Sequence, residues 1–237
     1  MFIPVKTADG SFTFYSTQFN EHYHGLHDGA YNESLHKHVK PACDAILTQN
    51  PKKITILDIC FGLGYNTLTT LSYLKEKNYQ GNITVYSPEF DRELIHALRL
   101  LPFPKIYLPF FSLLHTLTHE LYVKTDNIEI TVINGDAVKF IENCDVKFDI
   151  VYQDAFSPKQ NPLLWNEYYF QALDKCLHQN SVITTYSQAG AVRRTLFAQG
   201  YDLFEHQFSD NIKMRPGTIA SKSTYKNFTP IKKFQHQ

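Results

Sequence analysis

"KITILDICFGLGYNTLTTLSYLKEK", residues 53–77, is the stretch whose reading decides the fold. Residues 53–59 are apolar nearly throughout, as expected of a strand covered on both faces. Residues 65–77 carry apolar side chains at helical spacing. Between them stands Gly62-Leu63-Gly64, a turn whose missing side chains let a ligand approach the backbone N–H groups of a helix N-terminus. A second apolar run follows at "NITVYSP" (82–88), so the order strand, glycine turn, helix, strand makes a β-α-β unit.

The alternation continues outward. Residues 91–101 and 110–123 read as helices, 128–136 and 148–154 as strands, 163–177 as a helix, 181–187 as a strand and 190–199 as a helix. Strand candidates at 201–208 and 217–223 close the chain. Upstream, a helix is expected around 32–48, and "SFTFY" (11–15) alternates like an edge strand. The pattern predicts a doubly wound α/β fold with a mostly parallel, seven-stranded sheet. Residues 1–50 form an N-terminal appendage contributing to the site, and 51–237 one structural unit. Ligands of such sheets bind outside the carboxyl ends of the strands.

Composition sets the remaining bounds. The 237 residues are 43% hydrophobic and 19% charged, enough to bury a core without disulfides or metals. No run approaches the ~20 apolar residues that cross a bilayer, and "MFIPVKTADG" lacks the features of a secretory leader. A cytoplasmic protein with no membrane partner is expected. Cys43, Cys60, Cys144 and Cys176 are scattered, which fits reduced thiols filling the core. The histidines of "EHYHGLHDG" (21–29) and "HKH" (36–38) lack the further spaced ligands of a metal site, so they read as surface residues and no metal is expected. Net charge is zero, but from residue 186 onward eight basic side chains stand against three acids, +5, leaving −5 for the remainder. That asymmetry suits either a phosphate-binding face or a solvated basic tail.

The strand ends carry the chemistry. Asp58 precedes Gly62 and Gly64; the place of a third dinucleotide-type glycine is Thr67, and no Gly-Lys-Ser/Thr occurs, so NAD and ATP lose ground. An acid followed by Phe-Gly-Leu-Gly is the layout in which S-adenosylmethionine-dependent methyltransferases hold their cofactor. "SPEFD" offers Glu89 to the two hydroxyls of a ribose and Asp91 as a helix cap. "NGDA" offers Asp136 and the backbone of Ala137 to an adenine amino group. Asp154 ends the fourth strand, beside the cofactor's reactive end, and Pro158 and Pro162 stiffen the loop after it. Phe156 and Trp165 are candidate walls of a substrate pocket. Singly, each acid also reads as a cap or strand terminator.

"CFGLGYNTL", "QDAFSPKQNPLLW" and "SQAGAVRRTLFAQGY" together resemble, in order and spacing, the methyltransferase domain of the MnmC family, over roughly residues 19–222. The resemblance implies a Rossmann-like, class I methyltransferase that uses S-adenosylmethionine to methylate 5-aminomethyluridine at the wobble position of tRNA. Its cofactor set would be Asp58, Phe61, Gly62, Gly64, Asn66, Glu89, Phe90, Asp136, Ala137 and Asp154. Its substrate set would be Tyr23, His24, Glu33, Phe156, Pro158, Trp165, Arg193, Arg194, Lys213 and Arg215, the basic residues gripping the anticodon stem-loop. Asp154 would be the catalytic residue that faces the amine. Cys60 departs from the pattern, standing where many members have Gly. The family's FAD-dependent domain finds no counterpart in 237 residues, so no FAD is expected. Rival readings are an aminopropyltransferase, whose amine loop carries more than one acid, a small-molecule amine N-methyltransferase, and a non-catalytic tRNA-binding protein.

Overall fold

The computed structural model describes residues 2–206, 208 and 214–236. The N-terminal residues do not join the main sheet. They form two short ribbons, β1 (Val5–Lys6) with β2 (Phe12–Thr13) and β3 (Tyr15–Ser16) with β4 (Glu21–His22). "SFTFY" is therefore split at Phe14, whose ring is fully buried.

The expected helix around 32–48 is present but irregular: α1 (Ala30–Glu33), a π-helical turn (Ser34–Val39) and α2 (Lys40–Leu47) follow without a break. Pro41 has no N–H to give the carbonyl four residues back, and the N–H of Lys40 reaches the carbonyl of Leu35 instead. The wider turn buries three consecutive side chains, Lys37, His38 and Val39. His24 is also buried. The reading of the two histidine clusters as surface residues thus fails for these two imidazoles.

β5 (Lys53–Ile59), α3 (Tyr65–Glu76) and β6 (Asn82–Glu89) form the β-α-β unit. α4 (Arg92–Ala97), α5 (Phe111–Glu120), β7 (Tyr122–Lys124), β8 (Ile128–Asn134), α6 (Ala137–Glu142) and β9 (Phe148–Gln153) follow. The chain continues through α7 (Glu167–Asp174), β10 (Leu177–Thr185), α8 (Gly190–Ala198), β11 (Asp202–His206), β12 (Thr218–Ser221) and β13 (Phe228–Pro230). One sheet runs β13-β11-β12-β10-β9-β5-β6-β8-β7. The five strands from β8 to β10 are parallel, and β12 inserts antiparallel between β10 and β11. These seven are the expected sheet; β7 and β13 add a short antiparallel strand at each edge.

Two helical readings differ from the structure. The helical reading of 110–123 runs too far because Leu121 adopts φ 59°, which stops α5 and releases Tyr122 into an edge strand. The reading of 163–177 as one helix fails at both ends. Residues 162–165 form a single 3-10 turn, Asn166 caps α7 through the N–H of Tyr169, and Leu177 already begins β10.

Alternation along β5 divides the core. Ile54 and Ile56 face a layer that includes Phe14, Val39, Ala42 and Leu68, whereas Leu57 and Ile59 face Phe148, Tyr169, Leu173 and Val192. The N-terminal segment therefore shares a core with the sheet. Its entry into α1 turns on Gly29, at φ 90°, where a Cβ would lie 2.0 Å from Cγ of Asp9. That carboxylate accepts the N–H of Asn32 at 2.8 Å. Gly29→Ala is expected to destabilise the protein by about 1–3 kcal/mol, from the left-handed strain alone; an unchanged urea midpoint would show that this junction is not under constraint.

Candidate active site

β5 pairs in parallel with β9, matching Asp58 to Tyr152 and Ile59 to Gln153, so both strands end side by side. Asp154 follows β9 directly. Asn66, in the first turn of α3, donates through Nδ2 to Asp154 Oδ2 at 2.8 Å and to Asp58 Oδ1 at 3.3 Å. Its own Oδ1 accepts from Ser34 at 2.7 Å, and Thr67 donates to Asp58 Oδ2 at 2.8 Å. The amide orientation is fixed from three sides. Burial pushes the Asp58 carboxyl up to about 7, against the hydrogen bond from Thr67. On the other side of Asp154, His38 Nε2 stands 3.3 Å from Oδ1, and His38 Nδ1 lies 3.2 Å from Thr184 Oγ1 on β10.

The loop after β5 is left-handed at Cys60 (φ 65°), Gly62 (φ 53°) and Gly64 (φ 72°). Cys60 therefore holds a backbone conformation in which a Cβ is unfavourable. Gly62 donates its N–H to Glu89 Oε2 at 2.9 Å, and Asp91 donates its N–H to Oε1 at 2.9 Å. Glu89 thus ties the loops after β5 and β6 together, and burial raises its pKa despite these two bonds. Asp91 also caps α4 through the N–H of Leu94, as its position at the strand end predicts.

Aromatic rings cover this floor. Phe19 stacks on Phe156 with centroids 4.4 Å apart, Phe90 meets Phe19 at 6.1 Å, and Tyr23 packs on Phe156 at 5.0 Å. Ser157 donates its backbone N–H to Glu21 at 3.2 Å, pinning the loop after β9 to β4. Beside the rings lies a charged cluster: Lys37 Nζ reaches Asp28 at 2.8 Å and Glu33 at 3.0 Å, and Gly25 donates its N–H to Glu33 at 2.9 Å. Burial opposes ionisation of Glu33, yet its bond to His24, the charge of Lys37 and the Gly25 N–H hold its carboxyl well below the usual range. Burial likewise disfavours a charged His24, but Glu33, Asp154 and Asp58 outweigh it and raise the imidazole's pKa.

These groups enclose a cavity of about 340 Å³, within the size range of small-ligand sites. Of the residues expected from sequence, Phe61, Gly62, Asn66, Glu89, Phe90 and Asp154 line it, together with Tyr23, His24, Glu33 and Phe156. Asp58 lies one layer behind, fully buried. Gly64 starts α3 against the ring of Phe61, which a Cβ would approach to 3.0 Å. Asp136 is exposed and caps α6, accepting from Val138 at 2.8 Å and Lys139 at 3.1 Å, while Ala137 is in the core. Neither lines the cavity, and nor does half-buried Pro158. Trp165 is core and donates Nε1–H to the carbonyl of Phe156 at 2.8 Å, bracing that ring's loop from behind. Arg193 binds Glu205 at 2.7 Å and Thr218 at 2.9 Å, and Arg194 is exposed on α8. Arg215 lines a second hollow of about 650 Å³, which shares Tyr186 with the first. Lys213 lies outside the described residues.

Sequence reasoning missed His38, Ser34, Phe19, Glu21 and Tyr186. A signal for two of them existed: Ser34 and His38, like Glu33 and Lys37, are four apart on one helix and so face the same side. Phe19, Glu21 and Tyr186 come from a ribbon and a loop whose folding back over the strand ends has no local signature. Among the described residues no single helix is long and apolar enough to cross a membrane, and no group of three His, Cys, Asp or Glu side chains could hold a metal ion.

A doubly wound sheet with a glycine loop after its first parallel strand, an acid after the second and another after the fourth defines the class I methyltransferase architecture. A family model described as S-adenosyl-L-methionine-dependent methyltransferase matches residues 103–223. The crystal structure of MNMC2 from Aquifex aeolicus superposes with a TM-score of 0.83 at 31% identity, covering 97% of this chain and 72% of that one. An uncharacterized protein of Methanocaldococcus jannaschii is 30% identical over 95% of this chain and 60% of its own length. The tRNA 5-methylaminomethyl-2-thiouridine biosynthesis bifunctional protein MnmC of Ralstonia nicotianae is 27% identical over 84% of this chain and 31% of its own length. The chain belongs to the MnmC family of S-adenosyl-L-methionine-dependent methyltransferases. It spans less than two thirds of the length of these two curated relatives.

The cavity fits that cofactor: Gly62 lines it with no side chain in the way, Glu89 is an anchored acceptor, and Phe90, 49% exposed, offers a ring face. A pH dependence follows from Asp58. Its folded pKa lies above the unfolded value near 3.8, so the folded state binds its proton more tightly and this group loses stability as pH rises from about 4 to about 7. Asp58→Asn removes that slope. The native-minus-variant stability difference should fall as pH rises from about 4 to about 7 in denaturant titrations; a difference independent of pH would contradict the buried carboxyl's raised pKa.

Proposed function

We propose that the protein transfers a methyl group from S-adenosylmethionine to the primary amine of 5-aminomethyl-(2-thio)uridine at the wobble position of tRNA, giving the 5-methylaminomethyl product. The observation that carries this reading is the placement of Asp154: one carboxylate, held by Asn66 at 2.8 Å, on the wall of a cavity whose floor is the glycine loop. An alkylamine is mostly protonated at neutral pH and must lose a proton before its lone pair can attack. Bound cofactor supplies an electrophilic methyl on a sulfonium. The remaining work belongs to the chain. Glu89, with each oxygen already fixed by a backbone N–H, keeps a lone pair on each for the two ribose hydroxyls. Phe90 and Asp91 line the cavity beside it and serve the adenine end in place of Asp136 and Ala137.

Asp154 accepts a hydrogen bond from the amine, orients the nitrogen and takes the proton that the ammonium must shed. Phe19, Tyr23 and Phe156 exclude water, which would otherwise solvate the nitrogen. Exposed Arg194 and Arg215 are the basic side chains best suited to RNA phosphates, because Arg193 is already engaged by Glu205. A single acid in the amine loop favours a lone primary amine such as the aminomethyl group over a polycation.

The test is turnover of tRNA carrying aminomethyluridine, read by mass spectrometry of its nucleosides. Asp154→Ala should lower kcat by about 10²–10⁴-fold while cofactor affinity persists; full activity in the variant would remove Asp154 from the chemistry. Glu89→Ala should show the opposite split, with cofactor Kd rising by about tenfold to a hundredfold for the loss of charge-assisted hydrogen bonds. An unchanged Kd, measured by calorimetry, would move the ribose elsewhere.

A further inference from the structure

Asp154 presents two oxygens, and only Oδ2 has a well-formed partner, Asn66. Oδ1 faces His38, an imidazole with no solvent exposure that hangs from the π-helical turn. At 3.3 Å, Nε2 is close enough to Oδ1 to attract it, yet it is too poorly aligned to make a full hydrogen bond and has no other partner among the described residues. A buried polar atom left in that state costs stability, and a leucine of similar volume would fill the space more cheaply. Hydrogen bonds in active sites are often long before the reacting groups are in place and tighten when they arrive.

We propose that His38 is a positioning residue for methyl transfer: its Nε2–H holds Oδ1 of Asp154 while Asn66 holds Oδ2, aiming the carboxylate's remaining lone pairs at the substrate amine. This rests on the assignment of Asp154 to the amine. The alternative tautomer would set an Nε2 lone pair against a carboxylate oxygen, which is repulsive, so the proton belongs on Nε2. Nδ1 then accepts from the hydroxyl of Thr184 at 3.2 Å, and that bond fixes the ring plane. The ring also stands edge-on to Tyr152, with centroids 6.0 Å apart, so it is held on a second side. The chain of contacts runs from β10 through Thr184 and His38 to Asp154. No proton is consumed along it; His38 keeps its proton, and the amine's proton goes to Asp154.

Three variants of the full chain test this, assayed for kcat and KM on aminomethyluridine tRNA and for binding of S-adenosylhomocysteine. His38→Leu should lower kcat by about 10–100-fold, the scale of a misaimed reacting group, with KM and cofactor Kd nearly unchanged. His38→Gln, which can return an N–H near the Nε2 position, should recover most of that loss. Thr184→Val should lower kcat several-fold in the native background and not at all beside His38→Leu, since it acts only through the imidazole. Equal losses in His38→Leu and His38→Gln accompanied by loss of cofactor binding would mean a purely structural role and overturn the proposal. So would an unchanged kcat in His38→Leu. Nitrogen NMR of the His38 ring reads the same bond without any substrate. A protonated Nε2 whose resonance moves in Asp154→Asn is expected, and a protonated Nδ1 would overturn the proposal. If the native protein fails to methylate this tRNA, the substrate assignment falls, while the ring measurement still decides whether His38 holds Asp154.

Discussion

The side-by-side pairing of β5 with β9 is the constraint on which the rest of the site depends. It brings Asp58 and Asp154, 96 positions apart in the chain, to one strand-end crevice where a single amide, that of Asn66, bonds both. Two carboxylates so close would repel if both were ionised and unpartnered. The structure relieves this by burying one, whose pKa rises to about 7, and by opening the other to the cavity. The pair is therefore divided into an acid buried behind the site and one on the cavity wall.

The second layer of order comes from the N-terminal segment. Its ribbons bring Phe19, Glu21 and Tyr23 over the strand ends, and its π-helical turn delivers Ser34 and His38 beneath them. Pro41 explains why that turn is not a regular helix: the missing N–H forces the hydrogen bonds to shift, and the shift rotates Lys37 and His38 inward. Lys37 stays charged in the interior because Asp28 and Glu33 both reach it. Removing Lys37 would leave both carboxylates without its charge, which is far more costly than the pairs are favourable.

Much of this was legible in the residues. Runs apolar nearly throughout located the parallel strands and period-3.6 runs most helices, and the strand ends pointed to Gly62, Glu89 and Asp154, all of which line one cavity. Legibility stopped where tertiary geometry overrides local pattern. Asp136 looks like a ligand by its strand-end position; one of its oxygens, Oδ1, caps α6, and the residue does not line the cavity. Trp165 looks like a pocket wall, yet the 3-10 turn faces it into the core. His38 looks like a surface imidazole, because a backbone irregularity caused by a proline three residues later leaves no trace in composition. Arg193 looks like free positive charge, and only the fold reveals Glu205 beside it.

The central claim is that this cavity delivers a methyl group to an amine on the wobble uridine of tRNA, with Asp154 beside the nitrogen. Incubation with S-adenosylmethionine labelled in its methyl group, in one vessel with aminomethyluridine tRNA and free polyamines, tests it most directly. Label recovered in 5-methylaminomethyluridine and absent from the polyamines is the predicted result. Label on the polyamines alone, or none transferred to the nucleoside by native protein that binds the cofactor, would contradict it.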